Sequence, residues 1–309
     1  MTNEKWGTNE IPSQKGKIVL ITGATSGIGL EAAKVLSEKG ARLILPMRNL
    51  EKGKNTVQEI KQRFPAAEVA CLLMDISDFD SVREFAEKVK TEYTQLDLLL
   101  NNAGIMWPPQ RFLSKQGHDM QFATNHLGHF LLTGLLLPLI KATPNSRVVT
   151  QSSVLHKKTQ GQNFEPIIQF DDLSFSQNFD TKKAYAQSKL ANLLFTYELD
   201  RRFKASHTQA IATASHPGYT ATNLQKDAGF VMKIMNIVLA QKVNMGVLPI
   251  LRAATAPNLK GAEFFGPTKM NELKGYPALV QSSETSYDPA LAKKLWEVSE
   301  GLVSHKYEF

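Results

Sequence analysis

Thr22-Gly23-Ala24-Thr25-Ser26-Gly27-Ile28-Gly29 follows directly on the apolar run Lys17 to Ile21 and leads into Leu30 to Lys39, where Leu30, Ala33 and Leu36 recur near helical spacing. Gly40 closes that pattern where a C-terminal glycine is expected. The order is therefore strand, glycine turn, helix. Three glycines remove the Cβ atoms that would hold a phosphate off the backbone, and a helix N-terminus offers free N–H groups and partial positive charge to an anion. The stretch reads as a pyrophosphate site. Its spacing, G-x-x-x-G-x-G, is one residue wider than the common dinucleotide fingerprint, so by itself it leaves a plain strand-to-helix connector as the lesser alternative. The rest of the chain has to decide.

Working outward, the alternation continues. Ala41 to Pro46 reads as a second strand, Leu50 to Arg63 as a helix, Glu68 to Met74 as a third strand closed by Asp75, and Asp78 to Tyr93 as a third helix. Asp97 to Leu100 is a fourth strand, followed by Asn101-Asn102-Ala103-Gly104. Gly117 to Ile140 fits one long helix, Arg147 to Gln151 a fifth strand, Lys182 to Lys204 another long helix, Gln209 to Ala214 a sixth strand and Glu263 to Gly266 a seventh. Short apolar strands separated by helices imply right-handed crossovers and a parallel sheet covered on both faces, with a ligand crevice at the carboxyl ends of the strands. The expected fold is α/β, a Rossmann-type doubly wound parallel sheet in a single domain over 16–309, preceded by a loose polar arm at 1–15 with Trp6 tacked onto the surface.

Composition narrows the partners. Of 309 residues, 42% are hydrophobic, enough for a sizeable core. The formal charge of +7 comes from Lys and Arg scattered along the chain rather than gathered in runs, which argues against nucleic acid and leaves an anionic cofactor as the natural acidic partner. Cys71 is the single cysteine, in the apolar run Val69 to Leu73, so no intramolecular disulfide forms, a buried inert thiol is expected, and a reducing, cytoplasmic setting fits. Met1 to Lys5 has no apolar core behind it, and Leu131 to Ile140 falls well short of the ~20 residues a membrane span needs, so no leader, anchor or integral membrane segment is expected.

The end of the second strand bears on cofactor choice. In dinucleotide folds an acidic residue about 20 positions past the glycine turn receives the adenosine ribose hydroxyls. Here Pro46-Met47-Arg48-Asn49 carries no carboxylate, and the Arg48 guanidinium is a planar fork suited to a phosphate. NADP(H) is expected in preference to NAD(H).

Tyr185 and Lys189 stand at i and i+4 on the helix expected over Lys182 to Lys204, so they share a face. A lysine ammonium beside a phenol favours the phenolate and is expected to draw the Tyr185 pKa down toward working pH, which is acid/base chemistry at a carbonyl or alcohol oxygen. Ser152 and Ser153 close the fifth strand, where the fold places its crevice.

The ordered set Thr22-Gly23, Gly27, Gly29, Asn101-Asn102-Ala103-Gly104, Ser153, Tyr185, Lys189 and Pro217-Gly218 resembles the short-chain dehydrogenase/reductase family from about Lys17 to Gly266. Met47-Arg48-Asn49-Leu50-Glu51-Lys52-Gly53, Asn125-His126-Leu127-Gly128-His129-Phe130 and Ser188-Lys189-Leu190-Ala191-Asn192 resemble its retinol dehydrogenase-like branch, as does the long insert between the serine and the tyrosine. The resemblance implies that Tyr185 is the acid/base, that Lys189 lowers its pKa and binds the nicotinamide ribose, that Ser153 holds the substrate oxygen, and that Asn125 fixes a water beside the lysine. The implied cofactor contacts are Gly23, Thr25, Ser26, Gly27, Ile28 and Gly29 at the turn, and Arg48 at the second strand. Asp75 and Ile76 stand at the adenine, Asn102, Ala103 and Gly104 beside the ribose, and Pro217, Gly218, Thr220 and Thr222 at the nicotinamide and phosphates. Segments at 154–184 and 225–245 would cover the substrate. Many membrane-bound retinol enzymes of the branch begin with an apolar anchor that this sequence does not show, so a retinoid is not the expected substrate.

The leading expectation is thus an enzyme that interconverts an apolar aldehyde or ketone and an alcohol, with the cellular direction toward reduction. Two alternatives are a conjugated C=C reductase of the protochlorophyllide reductase type, which usually needs an active-site cysteine that Cys71 on the third strand does not supply, and a non-catalytic NADP-binding sensor or scaffold, which has no need of Tyr185 and Lys189. His118, His126, His129 and His156 lack a third ligand at metal-like spacing and are expected to take packed or surface roles, so no metal is expected. Asp288-Pro289 opens a C-terminal helix whose Trp296 docks either on its own core or on a second subunit, leaving a homodimer open.

Overall fold

The computed structural model describes residues 5–220 and 240–309. One eight-stranded sheet in the order β3-β2-β1-β4-β5-β6-β7-β8 organises them. The strands are β1 (Ile18–Ile21), β2 (Arg42–Met47), β3 (Val69–Leu73), β4 (Leu98–Asn101), β5 (Arg147–Gln151), β6 (Ile211–Ser215), β7 (Phe264–Lys269) and β8 (Lys274–Leu279). The first seven run parallel, with Val19 paired to Leu43 on one side and to Leu98 on the other; β8 turns back antiparallel on β7. Chain order reverses between β1 and β4, and a crevice opens at the carboxyl ends of the strands at such a switch point.

The helices follow from local signals. α1 (Gly27–Glu38) ends ahead of Gly40, whose φ of +91° only glycine adopts readily. Asn49 caps α2 (Leu50–Arg63) by accepting from Lys52 N, and Asp78 caps α3 (Phe79–Glu92) by accepting from Asp80 N. Asp180 caps α7 (Thr181–Ala205), and Asp288 caps α10 (Pro289–Val303) with proline at its first position. Between β6 and β7 lie α8 (Val243–Gly246) and α9 (Leu248–Thr255).

Strand side chains alternate between two cores. Leu20, Ile44, Leu99 and Val148 pack with α3, α7 and α10, while Val19, Ile21, Leu43, Leu45, Leu100 and Val149 pack with α1 and α9. The architecture matches the expected doubly wound single domain, and four details correct the expectation. The helix expected over Gly117 to Ile140 is broken into α4 (Met120–Phe122), a π-helical turn at Ala123–Leu127, α5 (Gly128–Leu135) and α6 (Leu137–Ala142), the last break falling where Pro138 removes an N–H. The N-terminal residues do not stand off as an arm from Trp6 onward, because Trp6 and Ile11 are buried in the α1 side of the core. β8 has no counterpart in the sequence reading. Cys71 is half-buried rather than enclosed, since β3 is the edge strand of the sheet.

Trp296 docks on its own chain. It is 2% exposed, with ring centroids 5.0 Å from Phe130, 5.7 Å from Phe195 and 4.5 Å from Tyr307, and the Arg202 guanidinium 4.3 Å above it. No helix of the described residues is long and apolar enough to cross a membrane.

Candidate active site

The glycine turn lies where β1 feeds α1. Gly23 has φ +71° and Gly27 φ +56°, so both take the left-handed backbone that a side chain disfavours. Gly29 has a different reason: a Cβ there would strike the carbonyl of Gly23 and come within 2.6 Å of Asn102 Nδ2. Ser26 stands at the N-cap of α1 but its side chain makes no capping bond, so the first N–H groups of the helix face the crevice without a protein cap. An uncapped helix start closed in by glycines fits a pyrophosphate better than it fits a plain connector.

Asn102 is what holds this turn shut. Its Nδ2 donates to Thr22 O at 2.8 Å, and the backbone N–H groups of Asn102 and Ala103 both donate to Thr22 Oγ1 at 2.9 Å. Thr22 Oγ1 also lies 2.9 Å from His129 Nε2, and His129 Nδ1 lies 3.2 Å from the carbonyl oxygen of Asn125. A carbonyl only accepts, so Nδ1 carries the ring proton and Nε2 receives the Thr22 hydroxyl. Burial pushes the His129 pKa down to about 4, which keeps the ring neutral and the relay intact at ordinary pH.

A crevice of about 360 Å³ runs from this turn along the strand ends. Gly23, Thr25, Ser26, Gly27, Ile28 and Gly29 line one end, with Arg48, Asp75 and Ile76 beside them; Asn102, Ala103, Gly104 and Pro217 continue the wall to Tyr185 and Lys189. Arg48 is exposed at the rim. Asp75 is oriented by Ser77, whose N–H and hydroxyl both donate to its Oδ1. Gly218 and Thr220 do not line this crevice. They line a second cavity of about 670 Å³ that also takes in Ser153 and shares Ile28, Ser152, Tyr185 and Pro217 with the first. Thr222 and the part of the expected 225–245 cover up to residue 239 lie outside the described residues.

Tyr185 and Lys189 share a face of α7 as their spacing requires, with the lysine Nζ 5.6 Å from the tyrosine ring centroid. Lys189 Nζ donates to Gln151 O at 3.2 Å, and Asn192 Nδ2 donates to the same carbonyl at 3.0 Å. The expected lowering of the Tyr185 pKa is not what the protein alone produces. Burial pushes the phenol up to about 12 against a hydrogen bond with Ser153 that pulls it down, and burial pushes Lys189 down to about 8. Both groups leave water together, and desolvation favours the neutral form of each. Ser153 Oγ in turn accepts from Leu155 N at 3.2 Å.

Asn125 sits in the π-helical turn, with its side chain spent on structure. Its Oδ1 accepts from Ile105 N at 2.9 Å, and its Nδ2 donates to Ile105 O at 3.0 Å and to Ser188 Oγ at 2.9 Å. It ties the loop after β4 to α7. Of the remaining histidines, His126 and His156 are packed, 2% and 1% exposed, and burial pushes both pKa values down to about 3, whereas His118 is half-buried and burial lowers its pKa.

Residues 17–164 match the family model described as short chain dehydrogenase. A short-chain dehydrogenase, TIC 32 B, chloroplastic, of Brassica napus is 38% identical over 292 residues, 92% of this chain and 88% of that one. The chain belongs to the short-chain dehydrogenase/reductase family. Human retinol dehydrogenase 13 is 35% identical over 93% of this chain and 85% of its own length, which agrees with the retinol dehydrogenase-like branch. The crystal structure of an uncharacterized protein from Mycobacterium paratuberculosis superposes with a TM-score of 0.81 at 35% identity, covering 99% of this chain and 100% of that one. This short-chain dehydrogenase/reductase is accordingly an oxidoreductase of the kind that acts on CH–OH or C=O groups of small molecules and binds a nicotinamide cofactor.

Sequence reasoning missed several residues that line the two spaces. Gln151 holds Lys189 through a backbone carbonyl, which no side-chain pattern reveals. The second cavity is walled by Met106, Trp107, Lys157 and Glu272. Glu272 lies 3.0 Å from both Lys157 Nζ and His216 Nε2; burial pushes its carboxyl up, but these neighbours outweigh it and hold the pKa down at about 2. That cluster joins three chain segments, so only folding brings it together.

Proposed function

We propose that this enzyme interconverts an aldehyde or ketone bearing an apolar group and the corresponding alcohol, prefers NADP(H) to NAD(H), and uses Tyr185 as its proton donor and acceptor. The observation that carries the reading is that Tyr185 lies on the boundary of both spaces, with the Lys189 ammonium behind it and Ser153 hydrogen-bonded to it. The nicotinamide cofactor, when bound, supplies or accepts the hydride. Everything else falls to the protein. A phenol pushed up to about 12 is protonated at neutral pH, which suits donation to a carbonyl oxygen and hence reduction. Lys189, at about 8, is still mostly charged at that pH and stabilises the phenolate left behind. Ser153 holds the substrate oxygen against the phenol, and the Thr22–His129–Asn125 relay, with the Asn125 side chain donating to Ser188, ties the glycine turn to α7.

Arg48 supports the cofactor preference, since the β2 end offers a guanidinium and no carboxylate at the crevice rim. A cytoplasmic setting is part of the same proposal and rests on the single cysteine. The test is NADPH consumption over a panel of aldehydes and ketones by wild type and Tyr185→Phe. Turnover by wild type and its loss in the variant are expected. Equal activity in both refutes the role of Tyr185, and tight NADPH binding with no turnover of any compound refutes the carbonyl reading.

A further inference from the structure

The loop after β4 places a large side chain where the backbone disfavours one. Trp107 has φ +54°, a region that bulky residues rarely enter. Such outliers persist only where their surroundings over-determine them, and they concentrate at functional sites. The surroundings here do so from both sides. Asn125 grips Ile105 through its N–H and its carbonyl. Gln121 Oε1 accepts from Trp107 N at 2.9 Å, and Thr181 Oγ1 donates to Pro108 O at 3.1 Å. The indole N–H is enclosed and finds no partner among the described residues, so hydrogen bonding does not account for where the ring sits. The backbone aims it. What it meets is the second cavity and Tyr185, whose ring centroid is 6.4 Å away with the planes at 75°.

The geometry points to Trp107 as the residue that sets substrate specificity in this cavity: its π-surface beside Tyr185 selects a planar, unsaturated group next to the reacting carbonyl over a saturated group of the same size. A leucine or methionine could fill the same wall with apolar volume. What the indole adds is a flat, polarisable face, and flat groups gain from it beyond the area they bury. Because the two rings stand nearly perpendicular, a group lying parallel to the indole does not also stack on Tyr185, so Trp107 alone reads planarity. The Lys182 ammonium, 5.7 Å from the indole centroid, helps to fix the ring from the helix that carries Tyr185.

This assignment rests on the carbonyl reading of the cavity, and the experiment separates the two. Wild type, Trp107→Leu and Trp107→Phe, each loaded with NADPH, are assayed with 2-naphthaldehyde and with its saturated counterpart decahydro-2-naphthaldehyde. Binding of the two corresponding alcohols is measured by calorimetry. Comparing variants on one pair of substrates cancels their intrinsic difference in reactivity. Trp107→Leu is expected to lower kcat/KM for the naphthyl compound about 2- to 10-fold relative to the decahydro compound, mainly through KM. Trp107→Phe should recover most of the loss, which separates a flat face from mere volume. A Leu variant that alters both compounds equally, or neither, overturns the assignment. If wild type reduces neither aldehyde but prefers the naphthyl alcohol, and the Leu variant loses that preference, the carbonyl reading fails and the specificity wall stands. If both aldehydes are reduced with a ratio indifferent to residue 107, the wall fails and the chemistry stands.

Discussion

Gly29→Ala puts the glycine turn to the hardest test. The added methyl would run into the carbonyl oxygen of Gly23, lie 2.9 Å from that residue's carbonyl carbon, and lie 2.6 Å from Asn102 Nδ2. Carbon atoms prefer about 3.5–4.0 Å, so something has to give by roughly 1 Å. None of the three obstacles is the loose end of a flexible chain. Gly23 is held in a left-handed turn, and Asn102 Nδ2 is pinned by its 2.8 Å bond to Thr22 O. Overpacking of this kind costs about 1–3 kcal/mol, which in a domain of this size lowers Tm by about 1.5 °C per kcal/mol. If the same displacement moves the uncapped N–H groups of α1 off the pyrophosphate, NADPH affinity falls about 10- to 100-fold, the equivalent of about 1.4–2.8 kcal/mol. Calorimetric titration with NADPH, paired with a thermal melt, reads both quantities. Gly161→Ala is the control, because a Cβ at Gly161 meets nothing within 4 Å. A Gly29→Ala protein that melts lower but binds NADPH as wild type does would refute the turn as the anion site while leaving the packing argument intact.

Three other perturbations probe separate parts of the argument. Arg48→Glu should weaken NADPH and spare NADH, inverting the ratio of kcat/KM for the two cofactors; an unchanged ratio rejects Arg48 as the discriminator. Reductive kcat/KM should fall as pH rises through about 8, where buried Lys189 gives up its charge, and Lys189→Arg, charged throughout that interval, should lack this descending limb. A wild-type profile that stays flat to pH 10 contradicts the role given to the ammonium. Trp296→Ala should cost about 3–5 kcal/mol in denaturant unfolding by emptying the cluster with Phe130, Phe195 and Tyr307, yet leave kcat/KM near wild type in the folded fraction, because that cluster lies apart from both cavities.

Local periodicity made most of the scaffold legible. Apolar strands such as Ile18–Ile21 and Leu98–Asn101 are buried on both faces, so they appear as unbroken apolar runs, and the cap at Asp288 announces the C-terminal helix that follows. Periodicity failed where tertiary contacts override it. The π-helical turn at Ala123–Leu127 carries the same apolar pattern as a regular helix, yet it leads into Gly128, where any Cβ would strike the Ile76 carbonyl, a close approach between segments that no helical period encodes. β8 was invisible for a related reason: Lys-Gly-Tyr-Pro-Ala-Leu is a strand because β7 is there to pair with it, and its proline is tolerable because the strand lies at the edge.

The site divides along the same line. The i, i+4 spacing of Tyr185 and Lys189 and the three glycines of the turn are local facts of one helix and one connector, so the sequence by itself determined that a phenol meets an ammonium and that an anion can approach a helix start. It could not determine the protonation of that pair, because the ammonium's pull is opposed by desolvation that only the folded surroundings impose, and burial sends the phenol up to about 12. Nor could it show that Asn102 and Asn125 are tie bars whose side chains are bound to the turn and the loop, or that Gly218 and Thr220 border the second cavity instead of the first. Those outcomes depend on which backbone groups from distant segments come within hydrogen-bonding reach. That choice belongs to the packing of the sheet against its two layers of helices, and it placed Trp107 beside the tyrosine that opens out of the glycine turn's own crevice.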